Sequence, residues 1–230
     1  MYTVSCIVPV KDGSEWLPEC LNSLLALDLP PNVLLQVSVY DDGSTDNTRD
    51  ILENYRRSFL HKRIEYLVTR SPVSRGVGYA KNRAVFQSTG DFLCFCDADD
   101  VFLNCRVKVQ LHALLHCEAP FLAFIGGKFK RIPHDSTIRY TKWANSLSPS
   151  QLNIQIYTSH GPTLIAPTWF FSRKLFDSVG GFKENEPTGY PEDLRFFYDA
   201  LSIGAKLIRV NNFVTVYRYH RASATFQVDE

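Results

Sequence analysis

This sequence has no hydrophobic stretch long enough to span a bilayer. It has no surplus of either charge: Lys plus Arg is 25 against 24 for Asp plus Glu, a formal +1. No bulk field therefore pulls the chain toward nucleic acid or membrane, and any such contact needs a local patch. The six cysteines include no C-x-x-C pair and several lie in apolar runs, which favours reduced core thiols over a zinc site or a disulfide framework. The G-x-x-x-x-G-K-[ST] spacing is missing, which excludes a P-loop. There is no internal repeat, low-complexity tract or flexible linker. The start, "MYTVSCIVPVKDG", enters a β-branched run with no basic leader, so the expectation is a chain without a signal peptide, in a reducing, cytoplasmic compartment. Its 230 residues, 45% of them hydrophobic and 21% charged, suffice for a sizeable core.

What is present alternates. "TVSCIVPV", "LLQVSVY", "RIEYLV" and "DFLCFC" read as buried strands. Between them, "EWLPECLNSLLAL", "TRDILENYRRSFL" and "YAKNRAVFQS" carry apolar residues at helical spacing, and "RVKVQLHALLHC" adds a helix with Asn104 as its N-cap. This order predicts an α/β fold with a mostly parallel sheet flanked by helices, and ligands beyond the carboxyl ends of its strands. The second half is less regular. "FLAFIGGKFKRI" reads as a strand pair or one bent strand, and "SPSQLNIQIY" as a helix opened by a capping box at Ser148, Pro149 and Gln151. "TLIAPTWFFS" reads as a strand interrupted by Pro167, "PEDLRFFYDALSIG" as a helix stopped by Gly204, and "LIRV" and "VTVYRYH" as two closing strands. The expectation is one domain over residues 1–230, with a nucleotide-binding half to about residue 110 and an acceptor half after it.

The chemistry gathers at strand ends. "FLCFCDADD" runs a buried strand into Asp97, Ala98, Asp99 and Asp100. Carboxylates this close resist joint ionisation unless a cation sits among them, and hard oxygen ligands suit Mg²⁺ or Mn²⁺; the competing reading is a solvated acidic turn. "VYDDGSTDNT" places Asp41 and Asp42 at another strand end, where a carboxylate can take a base N–H or a ribose hydroxyl, or serve turn and cap chemistry. "SRGVGYAKNRA" offers Arg75, Gly78 and Lys81 at a helix start suited to a phosphate. Glu192 and Asp193 open a helix, where either a general base or dipole complementation fits. His220 ends the last strand as a structural histidine or a metal ligand.

In their order, "IVPVKDG", "VYDDGSTDNT", the Gly/Arg loop, "CFCDADD", "VGGF", "PEDLRFF" and "VYRYH" resemble the inverting glycosyltransferases of family 2, with the GT-A fold. The resemblance implies that Pro9, Val10, Asp41 and Asp42 bind uridine, with Arg75, Gly78, Lys81 and the Asp97–Ala98 pair along the nucleotide sugar. It implies a Mn²⁺ or Mg²⁺ on Asp97 and Asp99, reached by His220, and Asp193 as the base beside Glu192. "RYTKWANSLSPSQL" and "TSHGPTLIAPTWFFSR" are closer to an animal group that moves galactose from UDP-galactose to queuosine in the anticodon loop of tyrosine tRNA. That likeness implies a tRNA acceptor. Lys128, Lys130, Arg131, Arg139 and Lys142, with Tyr140 and Trp143 among them, then form an RNA-facing patch, and Trp169 lines the acceptor side; the competing readings are a solvated strand edge and a core tryptophan. The alternative is a UDP-GlcNAc or UDP-galactose transferase acting on a glycan. A D-x-D-x-T phosphohydrolase is disfavoured because Val101 stands at the Thr position, and a non-catalytic nucleotide-binding protein has no use for Asp193. No motif calls for an obligate protein partner or a membrane.

Overall fold

The computed structural model describes residues 1–154, 161–184 and 190–221. Its first four strands are β1 (Tyr2–Val10), β2 (Val33–Asp41), β3 (Glu65–Arg70) and β4 (Phe92–Phe95), all parallel in the order β3-β2-β1-β4. They are joined by α1 (Leu17–Leu25), α2 (Thr48–His61) and α3 (Val77–Phe86). β1 is apolar on both faces because both are covered. Cys6 and Val8 meet Leu17, Leu21, Leu52 and Phe59 on one side, while Ile7 meets Ala84, Val85 and Phe95 on the other. All six cysteines are free thiols and four are buried.

The sheet then turns antiparallel and closes the second half onto the first. After β5 (Val101–Phe102) and α4 (Arg106–Leu115) come β6 (Ala123–Ile132), α5 (Ile138–Ser146) and α6 (Pro149–Leu152). β7 (Phe170–Ser172), α7 (Arg173–Val179), α8 (Glu192–Ser202) and β8 (Lys206–Arg218) complete the described chain. The full order is β3-β2-β1-β4-β7-β6-β8-β5, with β7 antiparallel to both neighbours and β5 antiparallel to β8. Trp169, Phe171, Phe182, Phe196 and Phe197 fill the space between this half-sheet and α8, with Phe182 and Phe196 stacked at 4.4 Å.

Several expectations need correction. Asn104 does not cap α4: the cap position is Cys105, and the Asn104 carbonyl instead accepts from Asp28 N. The closing strands are one strand, β8. Its partner register jumps from Gly127↔Val210 to Lys128↔Phe213, so Asn211 and Asn212 bulge out of the ladder rather than end it. "FLAFIGGKFKRI" is correspondingly one bent strand. Ala166–Thr168 is a single 3₁₀ turn around Pro167, leaving only Phe170–Ser172 as strand. The capping box at Ser148 is present, but α6 ends at Leu152, and residues 155–160 lie outside the described residues. The segment that includes Tyr140 and Trp143 is the helix α5, which the strand-edge reading missed. Among the described residues no helix is long and apolar enough to cross a membrane.

Candidate active site

The ends of β1, β2 and β4 meet the start of α8 and the end of β8. β4 stops at Phe95, and Asp97 to Asp100 form a turn closed by Asp100 N donating to Asp97 O at 3.1 Å. Arg218 clamps this turn. Its backbone N–H reaches Asp100 Oδ1 at 2.8 Å, its Nε reaches Asp99 O at 2.9 Å, and its guanidinium pairs with Glu19 and lies 4.2 Å from the Trp16 ring centre. His220 Nε2 stands 2.9 Å from Asp99 Oδ2. The sequence reading kept His220 from "VYRYH" and passed over Arg218; its place two residues earlier on the strand's buried face was the available signal.

The second element is a buried ion pair across 111 residues of sequence: Lys81 Nζ donates to Glu192 Oε1 at 2.8 Å. Burial works to lower the Lys81 ammonium, but Glu192, Asp97 and Asp193 outweigh it and hold the ammonium above its ordinary value. Burial pushes the Asp97 carboxyl up to about 6, against Lys81 and with Asp99, Glu192 and Asp193. Asp193 is also raised, by burial first, with Lys81 opposing and Glu192 adding. Lys81 therefore neutralises the carboxylates rather than standing ready for a phosphate alone. Gly78 permits this packing: a Cβ there would lie 2.4 Å from Lys183 O and against the Glu192 side chain. Asn82, also missed from sequence, fixes the neighbouring strap. It pairs with Phe182 N and O, both at 2.9 Å, and a Cβ at Gly181 would sit 2.9 Å from its Oδ1.

The strand-end aspartates at β2 are committed within the chain. Asp41 accepts from Ser44 N at 2.8 Å. Asp42 accepts from Ser74 Oγ, Arg75 N and Gly76 N at 2.7–3.0 Å, so it pins the loop that leads into α3. Arg75 lies over the Tyr79 ring at 4.0 Å. Val10 and Ala98 are core residues, and the Val10 carbonyl takes the Asp42 N–H. Pro9 is buried within β1 opposite Tyr40.

The expected acceptor patch does not hold together. Lys128 and Lys130 point to one face of β6, with Lys130 exposed, whereas Phe129 and Arg131 alternate to the buried face. Arg131 is only 8% exposed. Arg139 and Lys142 are exposed on α5. Trp169 is fully buried and donates Nε1–H to Leu164 O at 2.6 Å, so it is core and lines nothing.

The acidic turn fits a divalent cation. Asp97, Asp99 and Asp100 each offer an oxygen, all within 4.8 Å of one another. Asp100 Oδ2 is buried with no hydrogen-bond partner, and burial, together with Asp99 and Asp97, pushes its carboxyl well up. Such a group calls for a proton or a cation. Asp100, one of the three clustered carboxylates in the sequence but outside the metal pair that the resemblance implies, thus joins Asp97 and Asp99.

Known proteins share this sequence pattern and fold. TarS of Staphylococcus aureus, a poly(ribitol-phosphate) beta-N-acetylglucosaminyltransferase, is 39% identical over 204 residues, 87% of this chain and 32% of that protein. An uncharacterized glycosyltransferase of Rickettsia felis is 28% identical over 198 residues, 84% of this chain and 31% of that one. The chain thus spans about a third of the length of these curated relatives. Among solved structures, residues 1–349 of S. aureus TarS with UDP-GlcNAc superpose with a TM-score of 0.75 and 21% identity, covering 100% of this chain and 62% of that one. A mannosyltransferase from Pyrobaculum calidifontis with GDP-Man and Mn²⁺ gives 0.70 and 19%, covering 93% and 56%. The α/β sheet with its antiparallel closure is therefore the GT-A arrangement. The model described as glycosyl transferase family 2 matches residues 5–180, and this chain belongs to that family.

Proposed function

We propose that the chain carries the donor-binding and catalytic part of an inverting, UDP-sugar-dependent β-glycosyltransferase whose acceptor is a glycan or polyol-phosphate polymer. The observation that carries this reading is the Lys81–Glu192 pair, which brings Asp193 and the Asp97 turn to one buried focus. The raised Asp193 carboxyl has a pKa nearer to working pH, as suits a general base. Ionised, it takes the proton of the acceptor hydroxyl. That oxygen forms its bond to the anomeric carbon as the bond from that carbon to the β-phosphate oxygen breaks, and the electron pair leaves with UDP. Glu192, held by Lys81, keeps the base oriented. Asp97, Asp99 and Asp100 would hold a divalent cation, which when bound supplies charge neutralisation for the diphosphate. A single displacement needs no covalent glycosyl-enzyme.

GlcNAc is the favoured sugar and a ribitol-phosphate-like polymer the favoured acceptor, by analogy with the TarS relative. A poly(ribitol-phosphate) beta-glucosyltransferase of Bacillus spizizenii is 30% identical over 97 residues, 42% of this chain. Galactose and queuosine-containing tRNA, implied by the animal likeness, have no counterpart in these relatives' names.

The test offers UDP-GlcNAc, UDP-glucose and UDP-galactose, with Mn²⁺, to ribitol-phosphate oligomers, glycan oligomers and queuosine-containing tRNA. Products are read by mass spectrometry. The expected outcome is GlcNAc on an oligomer, lost about 10²–10⁴-fold in Asp193→Asn with UDP binding retained. Undiminished transfer by that variant would remove Asp193 as the base, and a hexose found only on queuosine would restore the tRNA reading.

A further inference from the structure

Asn82 is a buried side chain on α3 that serves a stretch of backbone 100 residues away. Its Nδ2 donates to Phe182 O and its Oδ1 accepts from Phe182 N, both at 2.9 Å. One amide therefore satisfies both polar groups of one residue, as a neighbouring strand would. Nδ2 also donates to Glu184 Oε1 at 2.7 Å, and Arg83 Nη2 reaches the same oxygen at 3.0 Å. Residues 181–184 belong to no helix or strand. Their place over α3 is set by these side chains rather than by a ladder.

The clamp holds a ring that reaches α8. Phe182 stacks on Phe196 with centroids 4.4 Å apart and planes 23° from parallel, and its centre lies 5.2 Å from Lys81 Nζ. Phe196 follows Asp193 by three residues and Glu192 by four, so it sits on their side of the helix. Two adjacent residues of α3 thus reach the first turns of α8 by separate routes. Lys81 goes directly to Glu192, and Asn82 goes through the Phe182 ring to Phe196. The loop leading into α3 is pinned by Asp42 at the end of β2. α3 therefore runs as one bar from a strand end of the nucleotide half to the opening of α8.

We propose that Asn82 and Phe182 are positioning residues for sugar transfer: the amide clamp and the ring fix the start of α8, and with it the Asp193 carboxylate, at the reach an attacking hydroxyl requires. This rests on Asp193 being the base, as in the proposed function. The two routes divide the work. The Lys81–Glu192 pair sets the charge at this focus but tolerates a range of angles, whereas an amide pair and a ring stack are directional. An aspartate at position 82 would set a carboxylate against Phe182 O and Glu184, and an alanine would leave the Phe182 N–H and carbonyl without this partner.

The experiment uses Asn82→Ala and Phe182→Leu in the full chain, each alone and each combined with Asp193→Asn. UDP release from UDP-GlcNAc with Mn²⁺ is followed to a ribitol-phosphate oligomer and to water, UDP affinity is measured calorimetrically, and amide hydrogen exchange is read over α8. We expect kcat to fall about 10–100-fold in either single variant, because a misplacement near 1 Å costs that order. KM for UDP-GlcNAc and the affinity for UDP should hold, while α8 exchanges faster. With Asp193→Asn present, neither change should lower the residual rate further, since a residue that acts through the base has nothing left to position. Phe182→Leu keeps the backbone clamp and carries the test if Asn82→Ala does not fold. Arg83→Ala removes only the outer, half-exposed pair to Glu184 and should leave kcat within about twofold. Unchanged kcat in folded Asn82→Ala or Phe182→Leu overturns the inference. So does UDP affinity that falls in step with kcat, or a loss that adds to that of Asp193→Asn, because either marks general loosening of the fold. Full activity in Asp193→Asn alone takes down the base reading and the positioning role together, whereas an inactive Asp193→Asn beside a fully active Asn82→Ala takes down the positioning role only.

Discussion

Two buried arginines sit in opposite situations. Arg106, at the seam where the parallel and antiparallel halves of the sheet join, is fully buried and well provided for. Its Nη2 donates to Phe95 O at 2.7 Å and Trp169 O at 3.3 Å, its Nη1 to Thr215 Oγ1 at 3.0 Å and its Nε to Gln110 Oε1 at 3.0 Å. Gln110 in turn donates to Thr168 O at 2.7 Å. β4, the 3₁₀ turn, α4 and β8 are thus tied through one guanidinium. Arg131, in the corner under α5, has aromatic walls and two donors without partners. Burial alone does not separate a charge that ties the fold together from one that does not; hydrogen-bond satisfaction does.

The largest expected effect tests that contrast directly. Arg106→Met removes one side of a saturated buried network and takes the guanidinium donor from the Phe95 carbonyl and from Gln110 Oε1, while the Trp169 carbonyl keeps the Phe95 N–H, so it should cost about 3–5 kcal/mol. Arg131→Met strands no hydrogen-bond acceptor and should change stability by about 1 kcal/mol or less in either direction. Urea denaturation of the two variants against wild type measures both. Equal losses would break the comparison and make Arg131 a structural residue.

Lys81 belongs with Arg106, since its charge is buried and matched. Lys81→Met leaves Glu192, Asp97 and Asp193 facing one another and should cost about 3 kcal/mol. Adding Glu192→Gln should recover about 1 kcal/mol, because one of the stranded charges is then gone. Additive losses in the double-mutant cycle would show that the pair does not carry the coupling.

Two aspartates in the loops that follow β2 and β4 divide in the same way. Asp46 accepts from Ser14 N at 2.9 Å and Thr48 N at 3.0 Å, and these bonds overcome burial to lower its carboxyl to about 2. Its contribution is present above about pH 4 and lost as pH falls toward 2. Asp97, raised to about 6, is costly when ionised without a counter-ion. In metal-free protein at neutral pH, Asp97→Asn should gain about 0.5–2 kcal/mol, while Asp46→Asn should lose a similar amount. Thermal melts in EDTA read the sign, and the rise in Tm on adding Mn²⁺ and UDP should vanish in Asp97→Asn. A loss of stability in that variant would mean the acidic turn is already compensated from within the chain.

The parts legible in the sequence were those written in local pattern. Cys6, Val8 and Ile7 alternate as a doubly covered strand must, and "FCDADD" states its own contradiction, a buried strand ending in carboxylates. Glu192 and Asp193 announced themselves as acids at a helix start. Partnership across long sequence separation was not legible. Nothing near Lys81 shows that it pairs with Glu192, and Arg218 and Asn82 look like ordinary strand and helix residues until β8 and the 181–184 strap arrive beside them. Asn211 and Asn212 mimicked a turn because a bulge and a turn use the same residue types. Trp169, next to a proline-broken segment, fitted an acceptor-side lining and the core equally well by pattern, and it is the largest fully buried side chain. The basic patch failed for a simpler reason: Lys130 and Arg131 are adjacent on a strand and therefore cannot share a face.

The smallest effect isolates the principle at single hydroxyls. Thr215 Oγ1 accepts from Arg106 Nη1 and donates to Pro167 O, both at 3.0 Å. Thr141 Oγ1 is buried with neither. Threonine to valine replaces a hydroxyl by a methyl of similar volume, so packing is held nearly constant. Thr215→Val leaves a guanidinium donor and a carbonyl unpaired and should cost about 1–3 kcal/mol. Thr141→Val removes a polar group that was desolvated without return, and should be neutral or stabilising by up to about 1 kcal/mol. Matching stability losses in the two variants would mean that Thr141 has a partner in solution, such as an ordered water, and that the corner under α5 is already filled.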